Sequence, residues 1–176
     1  MDVDCIAFHP NCNYIATGGT DRTVRVWDTV SGNQIRIYRG HSTGVSAVRF
    51  SHDGLSLASG GDNGEVLLWN LSSDRLLSSY QGHAQMVTAL DFSYGGEEDR
   101  PVLASGSMDG TVKLWDGSGR KEEEEAIKRS RDGGKGGRSD GERLGPIKSF
   151  WTRRTPIATL RFGASNVLFV AGTAEV

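Results

Sequence analysis

Val45-Ser-Ala-Val-Arg-Phe50 alternates apolar and polar side chains at a period of two, the pattern of a strand with one buried face. Ser51-His-Asp-Gly54 follows as a turn, Asp capping its own backbone and Gly free to take positive φ. Leu55 to Ser59 predicts a second strand, and Gly60-Gly-Asp-Asn-Gly64 a tight hairpin with Asn-Gly at its tip. Val66 to Trp69 reads as a third strand and Arg75 to Tyr80 as a fourth. No stretch carries the 3.6-residue apolar period of a sizeable helix, so the expected class is all-β.

This four-strand unit recurs. ATGGTDRTVRVWD, ASGGDNGEVLLWN and ASGSMDGTVKLWD end their strands at Trp27, Trp69 and Trp115, at spacings of 42 and 46 residues. Gly40-His41 and Gly82-His83 are likewise 42 apart. A period of about 40–45 residues with a Gly-His opening and a Trp-Asp close predicts a β-propeller of four-stranded blades. The boundaries fall at 1–37, 38–79 and 80–116, with 147–176 supplying the closing strand of the third blade and an incomplete last blade. Asp2 to Phe8 aligns with Val45–Phe50 and Val87–Phe92, so no Gly-His precedes the first unit. Pro156–Phe162 and Val167–Ala171 look like the first two strands of a further unit. The expectation is a partial propeller of about three and a half blades, the C-terminal part of a longer protein, with an apolar blade face exposed at each end.

Residues 117–146 interrupt the third unit. Glu122–Glu125, Lys128-Arg129, Arg131 and Gly133-Gly-Lys-Gly-Gly137 bury too little apolar area to offset the entropy of ordering, which predicts a disordered, charged, Gly-rich loop. Gly95–Arg100 is a shorter insertion between two strands of that unit. Net charge is −2, which gives no whole-domain attraction to nucleic acid or an acidic membrane. No apolar run approaches a membrane span, and no signal peptide is visible. Cys5 and Cys12 form neither a C-x-x-C nor a disulfide framework, which points to a reducing compartment, cytosol or nucleus.

His41 and His83, Ser59 and Ser105, and Asp21 and Asp109 could be read as parts of a Ser-His-Asp triad. Their return once per unit argues against it, because an active site needs one constellation around one exposed nucleophile. The chain resembles the WD-repeat family. That resemblance implies that the His of Gly-His, a Ser or Thr on the second strand, an Asp in the next hairpin and the Trp of the third strand form a hydrogen-bonded chain within each blade. The third unit matches with His83, Ser105, Asp109 and Trp115; the second with His41, Ser59 and Trp69, Asn63 taking the Asp position. The first offers Thr17, Asp21 and Trp27. Neither a phosphate-binding loop nor metal-ligand spacing is present, so the reading is non-catalytic, without cofactor or metal.

Within the family, DVDCIAFHP, SGSMDGTVKLWD and TRRTPI resemble the C-terminal repeats of the WD-repeat TBP-associated factors. This implies a nuclear scaffold in TFIID, acting in RNA polymerase II transcription initiation, with histone-fold TBP-associated factors as partners and, in some organisms, a place in SAGA. Variable residues on one rim of the disc would form the partner surface: Thr20, Arg22, Thr43, Asp62, Gln85 and Met108, with Arg22 and Met108 the better contact residues. The alternatives are a cytoskeletal, signalling or ubiquitin-ligase propeller, or a nucleic-acid binder working through Lys128–Arg138. Near-neutral charge and the lack of aromatics in that loop disfavour the last.

Overall fold

The structure, a computed structural model, describes residues 2–95, 100–119, 143–152 and 155–173. All its regular elements are strands. The first blade consists of β1 (Val3–Phe8), β2 (Tyr14–Gly19), β3 (Thr23–Asp28) and β4 (Gln34–Arg39), hydrogen-bonded in that order. The second is β5 (Val45–Phe50), β6 (Ser56–Gly61), β7 (Val66–Asn70) and β8 (Arg75–Tyr80). The third is β9 (Val87–Phe92), β10 (Val102–Ser107) and β11 (Thr111–Asp116), closed on its outer edge by β13 (Lys148–Trp151). A two-stranded sheet of β14 (Ile157–Phe162) and β15 (Leu168–Gly172) follows. The expected arc of three and a half blades is therefore present.

The interruption of the third unit has structured edges. Residues 117–119 form a turn in which Gly117 N–H donates to Pro101 O. β12 (Arg143–Leu144) pairs in parallel with Ser79 and Tyr80 of β8, adding a short fifth strand to the second sheet. The rest of the expected disordered loop, 120–142, lies outside the described residues, as do 96–99 of the shorter insertion.

Two local features depart from the simple pattern. A bulge between Val45 and Ala47 adds Ser46 to β5, and equivalent irregularities occur at Val3/Cys5 and Ile157/Thr159. The bulge puts Val45 on the same face as Val48 and Phe50, in the core shared with the first blade, while Ala47 is buried on the opposite face toward the third. Gly60 and Gly61 belong to strand β6 rather than to the hairpin loop. A Cβ on Gly60 would sit 2.5 Å from Val87 Cγ1, so the residue is small to let the next blade approach. Only Gly64 in this hairpin has positive φ, at 82°, and its N–H bonds Gly61 O: a type I turn followed by a left-handed residue.

Successive blades pack face to face through three cores. Val24, Val26 and Ala16 of the first blade meet Val48, Phe50 and Leu57 of the second. Ala58, Leu68 and Leu77 meet Leu90, Phe92 and Leu103 of the third. Ala104 and Val112 meet Ile157 and Leu160. The outer strands add an aromatic link, Tyr38 against Trp69 and Tyr80 against Trp115, both with ring centroids 5.2 Å apart.

Candidate functional site: blade networks and the hairpin rim

The third blade holds a complete polar network. Trp115 Nε1–H donates to Ser105 Oγ at 2.7 Å, and His83 Nε2 lies 2.7 Å from the same oxygen. His83 Nδ1 faces only acceptors, the Asp109 carboxylate and a Thr111 oxygen whose own proton goes to Asp109, so Nε2 accepts the Ser105 hydroxyl proton. The imidazole proton is then on Nδ1, which faces Thr111 Oγ1 at 2.9 Å and Asp109 Oδ2 at 3.2 Å. Asp109 also accepts from Ala84 N–H and from Thr111 N–H and Oγ1–H. Burial raises the Asp109 carboxyl, but these hydrogen bonds outweigh it and hold the group below its ordinary value. Burial lowers His83, against the opposing pull of Asp109, and keeps the ring neutral. Ser, His and Asp are thus in triad-like order, yet Ser105 is 0% exposed, and its oxygen is spent on the indole. No substrate can reach it.

The second blade repeats half of this. Trp69 Nε1–H donates to Ser59 Oγ at 2.8 Å, and His41 Nε2 lies 2.7 Å from that oxygen. Asn63 does not complete the chain. Its amide donates to Ser42 Oγ at 3.0 Å, and its Oδ1 accepts Glu65 N–H, because an amide brings a donor that an Asp lacks and is drawn to the loop hydroxyl. His41 Nδ1 is left buried without a hydrogen bond, with the Glu65 carboxylate 3.8 Å away. Burial alone pushes the His41 pKa down to about 4. In the first blade Trp27 Nε1–H donates to Thr17 Oγ1 at 2.9 Å. Asp21 accepts from Thr23 and pairs with Arg25 at 3.0 Å.

Three features were not singled out in the sequence. Thr111 is the nearest partner of His83 Nδ1, and the Asp-x-Thr step it shares with Asp21-x-Thr23 was the available signal. Tyr38 and Tyr80, 42 residues apart, carry the aromatic links. Polar side chains on the first strands also tie blade to blade. Ser46 Oγ–H donates to Val87 O at 2.7 Å, and Thr88 Oγ1–H donates to Ile157 O. The buried Asp91 takes Arg49 Nε–H at 2.8 Å and Phe162 N–H at 2.6 Å, joining three blades at one carboxylate.

The hairpins between second and third strands share a rim with the Gly-His loops. Asp62 N–H donates to Gly44 O and Met108 N–H to Met86 O, both at 3.0 Å, and Ser107 Oγ–H donates to Gln85 O. Thr20, Arg22, Asp62, Gln85 and Met108 are exposed on it. Thr43 is half-buried, its Oγ1 accepting Asn63 N–H. Arg22 has φ 64°, at the hairpin position where the second and third blades carry Gly64 and Gly110, also at positive φ.

The sequence profile described as "WD domain, G-beta repeat" matches residues 1–28, 32–70 and 74–116. The chain belongs to the WD-repeat family. Transcription initiation factor TFIID subunit 5 of Caenorhabditis elegans is 58% identical over 53 residues, 30% of this WD-repeat chain and 8% of that protein. The serine-threonine kinase receptor-associated protein of Dictyostelium discoideum is 43% identical over 117 residues, 66% of this chain and 24% of its own length. Mitotic checkpoint protein bub3 of the same organism is 38% identical over 52 residues, 30% of this chain and 16% of that protein. The chain therefore spans a quarter or less of each of these curated relatives. Among solved structures, the WD40 repeats of RRP9 superpose with a TM-score of 0.67 at 22% identity, covering 91% of this chain and 42% of theirs. That likeness speaks to the fold. The chain is a WD-repeat scaffold, and a buried His–Ser–Trp chain of hydrogen bonds runs through its second and third blades.

Proposed function

We propose that this chain serves as a non-catalytic part of TFIID in the nucleus, where its rim holds histone-fold TBP-associated factors during RNA polymerase II initiation. The observation that carries this reading is the 58% identity over 53 residues to TFIID subunit 5, against 43% over 117 residues and 38% over 52 for the other relatives named above. The rim supports it physically. A rigid stack of blades presents Thr20, Arg22, Asp62, Gln85 and Met108 at fixed spacing, so a partner binds without the entropy of ordering them. Arg22 adds to this. A bulky residue held in a left-handed conformation, where its counterparts are glycine, is the kind of backbone strain that is kept for contact.

A second reading, an adaptor of another complex of the signalling, cytoskeletal or ubiquitin-ligase kind, draws support from the longer match to the serine-threonine kinase receptor-associated protein. One experiment separates them. The full-length gene product is affinity-purified from nuclear extract and its partners identified, with Arg22→Glu in parallel. Histone-fold subunits that are lost with Arg22→Glu support TFIID and the rim together. Receptor-linked, tubulin-linked or ligase partners would overturn TFIID, and histone-fold subunits retained by Arg22→Glu would remove Arg22 from the surface.

A further inference from the structure

Each blade ends on an outer strand whose far edge offers unpaired N–H and C=O groups, and charge or proline normally keeps such an edge from pairing. β4 carries Arg36 and Arg39, and β13 opens with Lys148 soon after Pro146. β8 has a charge only at its first residue, Arg75; the rest, Leu-Leu-Ser-Ser-Tyr, has none. It is also the outer strand that takes a further strand. β12 pairs with it in parallel, Arg143 opposite Ser79 and Leu144 opposite Tyr80. Among the described residues, Arg75–Ser78 have no strand on that outer side.

A buried hydroxyl marks the same edge. Ser78 is 0% exposed, and its Oγ has no hydrogen-bond partner. It stands opposite Leu68, in the layer between the second and third blades. On one side of it Gly119 packs so close to Leu77 that a Cβ there would lie 2.8 Å from the Leu77 Cβ; on the other, β12 lies beside Ser79. Arg36 and Lys148 hold the same place on β4 and β13, and both reach solvent. An unpaired hydroxyl is costly to bury, and water reaching it would offset that cost, so the covered edge is biased toward opening.

We propose that the outer edge of β8 is a strand-addition site, on which an extended segment of a partner protein, rich in β-branched residues, pairs in parallel after displacing β12. Main-chain hydrogen bonds along Arg75–Tyr80 supply the affinity. β12, paired at Ser79 and Tyr80 alone, is the weaker competitor that keeps the edge from indiscriminate pairing. The site shares no residue with the hairpin rim.

The test is a nitrogen–proton correlation NMR titration of the full chain, following the backbone N–H groups of Ser79 and Tyr80, with three peptides. The first, Ser-Asp-Gly-Glu-Arg-Leu-Gly, copies residues 139–145. The second, Ser-Val-Thr-Val-Arg-Leu-Gly, places strand formers where the register of β12 sets them against Leu76–Ser78. The third replaces the threonine of the second by proline, which lacks the N–H. Each is added to wild type and to Arg143→Pro/Leu144→Pro, which removes both N–H groups of β12. In that variant the second peptide should bind at least about tenfold more tightly than the first or the third. It should also bind the variant at least about tenfold more tightly than wild type, where tethered β12 competes at an effective concentration of about millimolar. An unmoved Trp115 indole N–H reports an intact third blade; Arg143→Gly/Leu144→Gly, which weakens the strand without proline, should give the same order of affinities. Equal affinity of the first and second peptides, or no saturable shift with any of them, overturns the site. Equal affinity of the second peptide for wild type and variant overturns β12 as its competitor.

Discussion

A histidine buried beside a Ser–Trp pair stabilises its blade only as far as both of its ring nitrogens are satisfied. His83 meets Ser105, Thr111 and Asp109, so truncating it strips partners from a buried hydroxyl and a buried carboxylate at once. His41 meets Ser59 alone and already carries an unpaired Nδ1. His83→Ala should therefore cost about 3 kcal/mol, and His41→Ala about 1 kcal/mol, read as urea midpoints at constant slope. Equal midpoints would show that the hydrogen bonds at Nδ1 carry little of the difference. The same orphan sets a pH dependence. Burial lowers His41 from 6.5 to about 4 in the folded chain. Above pH 6.5 the ring is neutral in both folded and unfolded states, and no penalty exists. As pH falls toward 4 only the unfolded chain takes the proton, so stability drops through that window. Between pH 7.5 and pH 5, wild type should lose about 2 kcal/mol more than His41→Gln, in which that titration is gone.

Among the elements, the hairpin between β2 and β3 is the odd one. Its last loop residue takes φ 64° as arginine, where Gly64 and Gly110 adopt 82° and 73° without a Cβ penalty. Arg22→Gly should raise stability by roughly 0.5–1 kcal/mol in thermal and urea melts, while weakening whatever partner the rim holds. A lower midpoint would mean that folded-state contacts hold the arginine side chain. The strands themselves were legible in the sequence, because alternation of apolar and polar residues and glycine-rich turns act locally. What escaped was set between elements. Gly60 reads as a turn residue until Val87 of the next blade is seen 2.5 Å from where its Cβ would stand. Ser46 and Thr88 look like ordinary polar strand positions, and only the bulge beside each turns the hydroxyl to the neighbouring blade's carbonyl. Asn63 could be placed at the Asp position by counting, but its amide chooses Ser42, a preference that spacing does not encode. The outer parallel pairing of β12 with β8 carries no periodic signal in two residues.

At the scale of the molecule, each blade is stabilised by the face of its neighbour, and the first strand shows this most clearly. Val48 and Phe50 of the second blade are covered by the first, and Leu90 and Phe92 of the third by the second. The equivalent residues of the first blade, Ile6 and Phe8, are 61% and 63% exposed, with Val3 beside them at 63%. The far end is similar: Phe150 stands where Tyr38 and Tyr80 cover tryptophans, but is itself exposed, as are Phe169 and Val170 of β15. Apolar surface left open on this scale favours association, while contributing little to the fold of the chain that bears it. Replacing Ile6 and Phe8 together by threonine, itself a good strand former, should therefore leave the urea midpoint within about 0.5 kcal/mol of wild type. The same change at Val48 and Phe50, at equivalent positions one blade on, should cost more than about 4 kcal/mol, because there the methyl groups and the ring are enclosed. Sedimentation velocity at rising concentration supplies the other half. The Ile6/Phe8 variant should stay monomeric at concentrations where wild type self-associates through this face. A large loss of stability in that variant would mean that β1 is held by its outward face after all, and unchanged association would place the sticky surface at the β15 end.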